Sequence, residues 1–135
     1  MAKAFVDTNV FFYALDGSDP DKQSKAIALL SKLARKGDGR ISTQVAMELA
    51  TNLVKKLRLS PEDAKKLLVG LEDFVVVPTG TTTVGRALEL MSEASLSFWD
   101  AAIVAAAEAG GCDTLYTEDL SAGQRVVGIK IVDPF

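Results

Sequence analysis

Residues Lys3–Phe12 read K-A-F-V-D-T-N-V-F-F, and the reading of this stretch decides the fold class. Ala4, Phe5 and Val6 form a short apolar, β-favouring run that Asp7 stops, and Thr8 and Asn9 are suited to cap the apolar segment that follows. The pattern is strand, acid, helix. In open α/β sheets ligands bind in the crevice beyond the carboxyl ends of the strands, so an acid at that point is placed for chemistry. Asp also caps helices at ordinary strand-to-helix junctions, so a chemical role for Asp7 requires partner acids. The candidates are Glu48, Asp100 and Asp119.

Further along the chain, Val10–Leu15 is a short apolar segment that ends at Asp16-Gly17-Ser18-Asp19-Pro20. Ala26, Ile27, Leu30, Leu33 and Ala34 then recur at helical spacing up to the Gly37-Asp38-Gly39 stop, and Arg40, Ile41 and Ser42 fit a minimal second strand. Gln44–Leu57 reads as a helix with Glu48 beside its apolar stripe of Val45, Leu49, Leu53 and Leu57, opened by a cap at Ser42 or Thr43. Ser60-Pro61-Glu62-Asp63 opens another helix, running to about Leu71. The β-branched run Phe74-Val75-Val76-Val77 is expected to be a third, buried strand, followed by a polar loop over Thr79–Thr83 and a helix over Val84–Ala94.

Ser97 and Asp100 form a capping pair ahead of an alanine-rich helix that ends at Gly110-Gly111, whose small residues permit close packing. Thr114–Thr117 is expected to be a strand ended by Glu118-Asp119, and Val126–Val132 a last strand. Strands alternating with helices imply a mostly parallel sheet of about four or five strands with helices on both faces, because parallel strands need crossover connections.

Composition narrows the chemistry. The 135 residues are 48% hydrophobic, which fits one α/β domain over residues 1–135 with a single core. The longest apolar run, Ala101–Ala107, is far below the ~20 residues of a membrane span, so a soluble, cytoplasmic protein is expected. Cys112 is the only cysteine, which excludes an intrachain disulfide and a cysteine-based zinc site. There is no histidine, so the commonest general base and the Ser/His and Cys/His nucleophile pairs are absent together. The net charge of −3 is unlike that of a general nucleic-acid binder, yet Lys22–Lys66 holds eleven Lys and Arg against four Asp and Glu. That region could face a polyanion or simply form solvated helix faces.

Asp7 and Asp119 close two strands, while Glu48 and Asp100 lie near helix starts that can face the same crevice. Four converging acids raise each other's pKa, and a bound divalent cation is the usual compensation. Oxygen ligands suit Mg²⁺ or Mn²⁺, which can take a phosphodiester oxygen into the shell and activate a water. Thr8, Asn9 and Thr117 can orient carboxylates or waters, or serve as caps and turn residues.

Taken together, F-V-D-T-N-V, T-Q-V-A-M-E-L, S-F-W-D-A-A-I-V-A-A-A and L-Y-T-E-D-L resemble the PIN-domain pattern in order and over nearly the whole chain. Among PIN proteins, a domain of this size is similar to the VapC toxins of prokaryotic toxin–antitoxin pairs. The resemblance implies Mg²⁺- or Mn²⁺-dependent cleavage of RNA, inhibition by a cognate VapB-type antitoxin, and a homodimer. It carries over Asp7, Glu48, Asp100 and Asp119 as an acidic quartet, with Asp7 and Asp100 as direct metal ligands and Thr117 at the pattern's hydroxyl position. Glu118 is the other acid that could fill the fourth place, and motif position favours Asp119.

Two other readings compete. A receiver-like signalling module would need an acceptor Asp at the end of a central strand, and Phe74–Pro78 ends without one. A catalytically silent PIN scaffold would bind RNA or protein through the Lys22–Lys66 region.

Overall fold

The computed structural model describes residues 2–135. The first strand, β1 (Ala4–Val6), runs into α1 (Thr8–Leu15) through Asp7, whose side chain accepts the Thr8 N–H at 2.7 Å. The cap is thus the acid itself rather than Thr8 or Asn9, which already lie within the first helical turn. Helix α2 (Pro20–Lys36) starts on Asp19 with proline in its first turn, and stops at Gly37 with φ 70°.

The second strand, β2 (Gly39–Ser42), passes to α3 (Thr43–Lys55) through Ser42, whose hydroxyl accepts the Val45 N–H at 3.2 Å. Helix α4 (Pro61–Leu68) is shorter than expected, because the chain tightens into a 3₁₀ turn over Val69–Asp73. After β3 (Val75–Val77), α5 (Thr81–Glu93) begins three residues earlier than its apolar pattern implies. The Gly80 N–H donates to Thr83 Oγ1 at 3.1 Å, so threonines expected in a loop build the first turn. The remaining elements are α6 (Phe98–Ala109), β4 (Thr114–Tyr116), β5 (Arg125–Val126) and β6 (Ile129–Val132).

The sheet order is β3-β2-β1-β4-β6-β5, with every neighbouring pair parallel except β5 and β6. The mostly parallel α/β class expected from the sequence is found, with six strands rather than four or five. The additional strand arises because Val126–Val132 is not continuous: Val127 (φ 43°) and Gly128 (φ 82°) turn it into a hairpin. Two successive left-handed residues match the twist of a tight antiparallel turn.

The expectation of a buried third strand is corrected. β3 lies at the sheet edge, and Val75 and Val76 are 53% and 46% exposed. A β-branched run favours a strand in any sheet position, and burial depends on a further neighbour that β3 lacks. The buried residue is Phe74 beside it, edge-on to Phe11 with ring centroids 5.1 Å apart. Phe74 also fills the space over Gly39, where a Cβ would collide with its ring.

Ala4, Phe5 and Val6 are all buried although successive side chains point to opposite faces, so both faces of the sheet centre are covered. In α6, Ala101, Ala102, Ala105, Ala106 and Ala107 are buried, and their small size lets the helix pack closely against α5 and the sheet. Each fully buried Phe5, Ile41 or Leu115 contributes about 1.5–3 kcal/mol. That scale is enough for the centre of the sheet to carry one desolvated carboxylate at its end.

Candidate active site

Register places the first acid. Val6 pairs with Tyr116, and the Asp7 N–H donates to the Tyr116 carbonyl at 3.0 Å, so Asp7 leaves β1 directly beside Thr117, where β4 ends. Asp7 is 8% exposed. Its Oδ1 accepts the Thr8 N–H, and its Oδ2 accepts the Thr117 hydroxyl at 2.8 Å. Burial nevertheless pushes its pKa from 3.8 to about 6; the hydrogen bonds from Thr117 and Thr8 oppose the rise, and the charges of Asp119 and Glu48 add to it.

Glu48 comes to the same point from α3. The Thr8 hydroxyl donates to Glu48 Oε1 at 3.1 Å, and the Gln44 amide reaches that oxygen at 3.5 Å. Asp119 comes from the loop after β4, with its backbone N–H donating to Thr117 Oγ1 at 3.1 Å. Thr117 is fully buried and so links the second acid to the first. The Asp119 pKa is raised, foremost by burial and then by the charges of Glu118 and Asp100.

Asp7, Glu48 and Asp119 together line a cleft of about 260 Å³. Asn9 lines it as well. Both polar atoms of its amide are buried and satisfy no hydrogen-bond geometry, although the amide sits close enough to Asp119 to offset part of its pKa rise. Asp100 is not part of the cleft lining; it stands half-buried in the first turn of α6, where its backbone N–H donates to Ser97 Oγ at 3.3 Å. Its charge raises the Asp119 pKa, after burial and the charge of Glu118.

Glu118 and Asp119 have different surroundings. Glu118 accepts the Tyr13 hydroxyl and the Lys22 ammonium, both at 2.8 Å, and its side chain is 23% exposed. The Tyr13 pKa is raised foremost by that bond, and so is that of Lys22. Asp119 forms no ion pair among the described residues.

Asn52 and Lys56 also line the cleft; sequence reasoning left Asn52 aside and held Lys56 only as part of the basic Lys22–Lys66 region. Gln44, Glu48, Asn52 and Lys56 follow each other at intervals of four, a row along one helix face. That spacing was the available signal. Lys56 lowers the Asp119 pKa from across the cleft.

The donor set is made of carboxylates, hydroxyls and an amide, which suits a hard divalent cation. Among the described residues no group of three acids is arranged to hold one ion unaided. The set therefore fits a cation held by one or two carboxylates and completed by water, the usual habit of Mg²⁺. The unpaired Asn9 amide, buried among these acids, is a polar group for such a shell.

Comparison with known proteins places this architecture. A toxin–antitoxin complex from Klebsiella pneumoniae has a similar fold, with TM-score 0.72 and 21% identity over 98% of each chain. DNA-bound VapBC from Salmonella typhimurium gives 0.73 and 20% over 100% of each. VapC20 of Mycobacterium tuberculosis, described as a sarcin-ricin loop cleaving toxin, gives 0.64 and 19% over 87% of this chain and 92% of that one. A search of curated proteins found no match. The PIN domain profile matches residues 4–125, and the chain belongs to the PIN domain family.

Proposed function

We propose that the protein is an endoribonuclease of the VapC toxin type, dependent on Mg²⁺ or Mn²⁺ and held inactive by a VapB-type antitoxin. The observation that carries this reading is Asp7: a desolvated carboxylate at a strand end, sharing a cleft with Glu48 and Asp119 in a chain without histidine.

Asp7 and Asp100 are proposed to hold the cation, with Glu48 and Asp119 completing the acidic quartet. When bound, the ion offsets the clustered negative charge, polarises a phosphodiester oxygen and lowers the pKa of a water. The chain's own groups orient the site. Thr117 fixes Asp7 and the Asp119 backbone, and Thr8 fixes Glu48. Asp119, which lines the cleft and has no ion pair among the described residues, is proposed to take the proton of the attacking water. The water oxygen bonds to phosphorus, one ester P–O bond breaks, the leaving oxygen takes up a proton from solvent, and Asp119 releases its proton to solvent. Lys56 at the cleft supplies positive charge for the RNA backbone.

The antitoxin partner is proposed because similar structures are toxin–antitoxin and VapBC assemblies. A homodimer and a cytoplasmic location belong to the same reading; among the described residues, no helix is long and apolar enough to cross a membrane. The alternative is a PIN scaffold that binds RNA without cutting it, and the position of Asp100 outside the cleft lining speaks for it. Cleavage of a mixed structured RNA pool by the purified protein, with Mg²⁺, with EDTA, and with Asp100→Asn, separates the two. Metal-dependent cutting lost in the variant supports the nuclease; RNA affinity without cutting supports the scaffold.

A further inference from the structure

Trp99 is 66% exposed in the first turn of α6, immediately before Asp100. An indole this exposed gains nothing from the core, and it is not loosely held. Its ring stands edge-on to Phe98 with centroids 5.2 Å apart, and its carbonyl accepts the Gln44 amide at 3.5 Å, which ties the start of α6 to α3. Beside it lies a hollow of about 390 Å³ lined by Gln44, Met47, Glu48, Thr51, Asn52 and Trp99. Glu48 and Asn52 also line the acid cleft, so the two depressions share a wall.

We propose that this hollow receives an unpaired nucleobase adjacent to the scissile phosphate, stacked on the Trp99 indole. The inference rests on the ribonuclease reading of the acid cleft and deepens it, since it names single-stranded RNA as the form of substrate. The chemistry is that of base recognition: an exposed aromatic face provides stacking, and an amide beside it meets the base edge. The Thr51 hydroxyl is committed to the Met47 carbonyl at 2.9 Å and the Gln44 amide to Glu48 and the Trp99 carbonyl, which leaves the Asn52 amide as the edge partner. Because Asn52 borders both depressions, a nucleotide can place its base on Trp99 and its phosphate at the mouth of the acid cleft beside Lys56. The hollow's continuity with the acid cleft through Glu48 and Asn52 favours a nucleotide as the occupant.

Trp99 is the only tryptophan in the chain, so its fluorescence reports on this position alone. The test titrates the full chain with a single-stranded 2′-O-methyl oligoribonucleotide in EDTA, reading indole emission and oligonucleotide anisotropy together, with cleavage of unmodified RNA in Mg²⁺ measured in parallel. Saturable quenching is expected, with affinity reduced roughly tenfold to a hundredfold in Trp99→Ala and largely retained in Trp99→Phe. Binding by anisotropy with unchanged emission overturns the stacking proposal, and so does cleavage that is equally efficient in Trp99→Ala. Emission that instead follows protein concentration, with Trp99→Ala lowering the sedimentation mass, shows the indole covered by a second copy and also overturns it. If neither binding nor cleavage occurs, the ribonuclease reading fails and takes this proposal with it.

Discussion

Thr117 donates its hydroxyl hydrogen to Asp7 Oδ2 at 2.8 Å, joining the ends of two neighbouring strands through the most buried polar pair of the cleft. Thr117 Oγ1 in turn accepts the Asp119 N–H at 3.1 Å, so one hydroxyl positions two acids. Thr117→Val keeps the shape of the side chain and removes both bonds. The expected result is a loss of about 10–100-fold in RNA cleavage with about 1–3 kcal/mol of destabilisation. Urea unfolding beside cleavage rates checks this, and a variant with full activity would remove Thr117 from the account.

Asp7 makes stability depend on pH in an unusual direction for a carboxylate. The folded chain keeps its proton up to about pH 6, while the ordinary value is 3.8. Between those values the folded state binds more protons, so stability falls as pH rises from about 4 to about 6. The interval corresponds to about 3 kcal/mol, fully lost above pH 6. Asp7→Asn retains a capping side chain without the charge and should be more stable than the parent at pH 7 by about 1–3 kcal/mol, with the difference closing below pH 4. Added Mg²⁺ should stabilise the parent at pH 7 and not the variant.

Glu118 and Asp119 are adjacent and should behave differently. Both line the cleft, but Glu118 is engaged by Lys22 and Tyr13, whereas Asp119 has no ion pair among the described residues. Asp119→Asn should lower the cleavage rate by about a hundredfold or more, and Glu118→Gln should reduce it far less. The reverse order would assign the fourth acid to Glu118.

How much of this could be read from the sequence depends on whether a feature is local. The strand-acid-helix order at Ala4–Leu15 was legible because the acid interrupts an apolar run. That Asp7 would meet Thr117 was legible only as matching strand ends, since the pairing of β1 with β4 joins segments 110 residues apart. The exposure of Val75 and Val76 was not legible, because propensity favours a strand without stating whether another lies beside it. The row Gln44, Glu48, Asn52 and Lys56 was present in the spacing, yet polar residues on a helix face ordinarily mean solvent.

The hairpin between β5 and β6 was hidden because valine is a poor choice for the first position of its turn. Val127 holds φ 43° and is 40% exposed, so it bears backbone strain with little packing in return. Val127→Asn should stabilise the protein by about 1 kcal/mol, measured by thermal or urea unfolding. A destabilised variant would show that the valine side chain matters more than its backbone.

The most direct measurement is single-turnover cleavage of RNA across a Mg²⁺ series by the parent protein and by Asp7→Asn, each shown to be folded. The account expects cleavage by the parent that rises with Mg²⁺ and is abolished by EDTA, with none from the variant at any Mg²⁺ concentration. Equal cleavage by both proteins, or cleavage indifferent to EDTA, would contradict the central place given to Asp7 and the metal chemistry built around it.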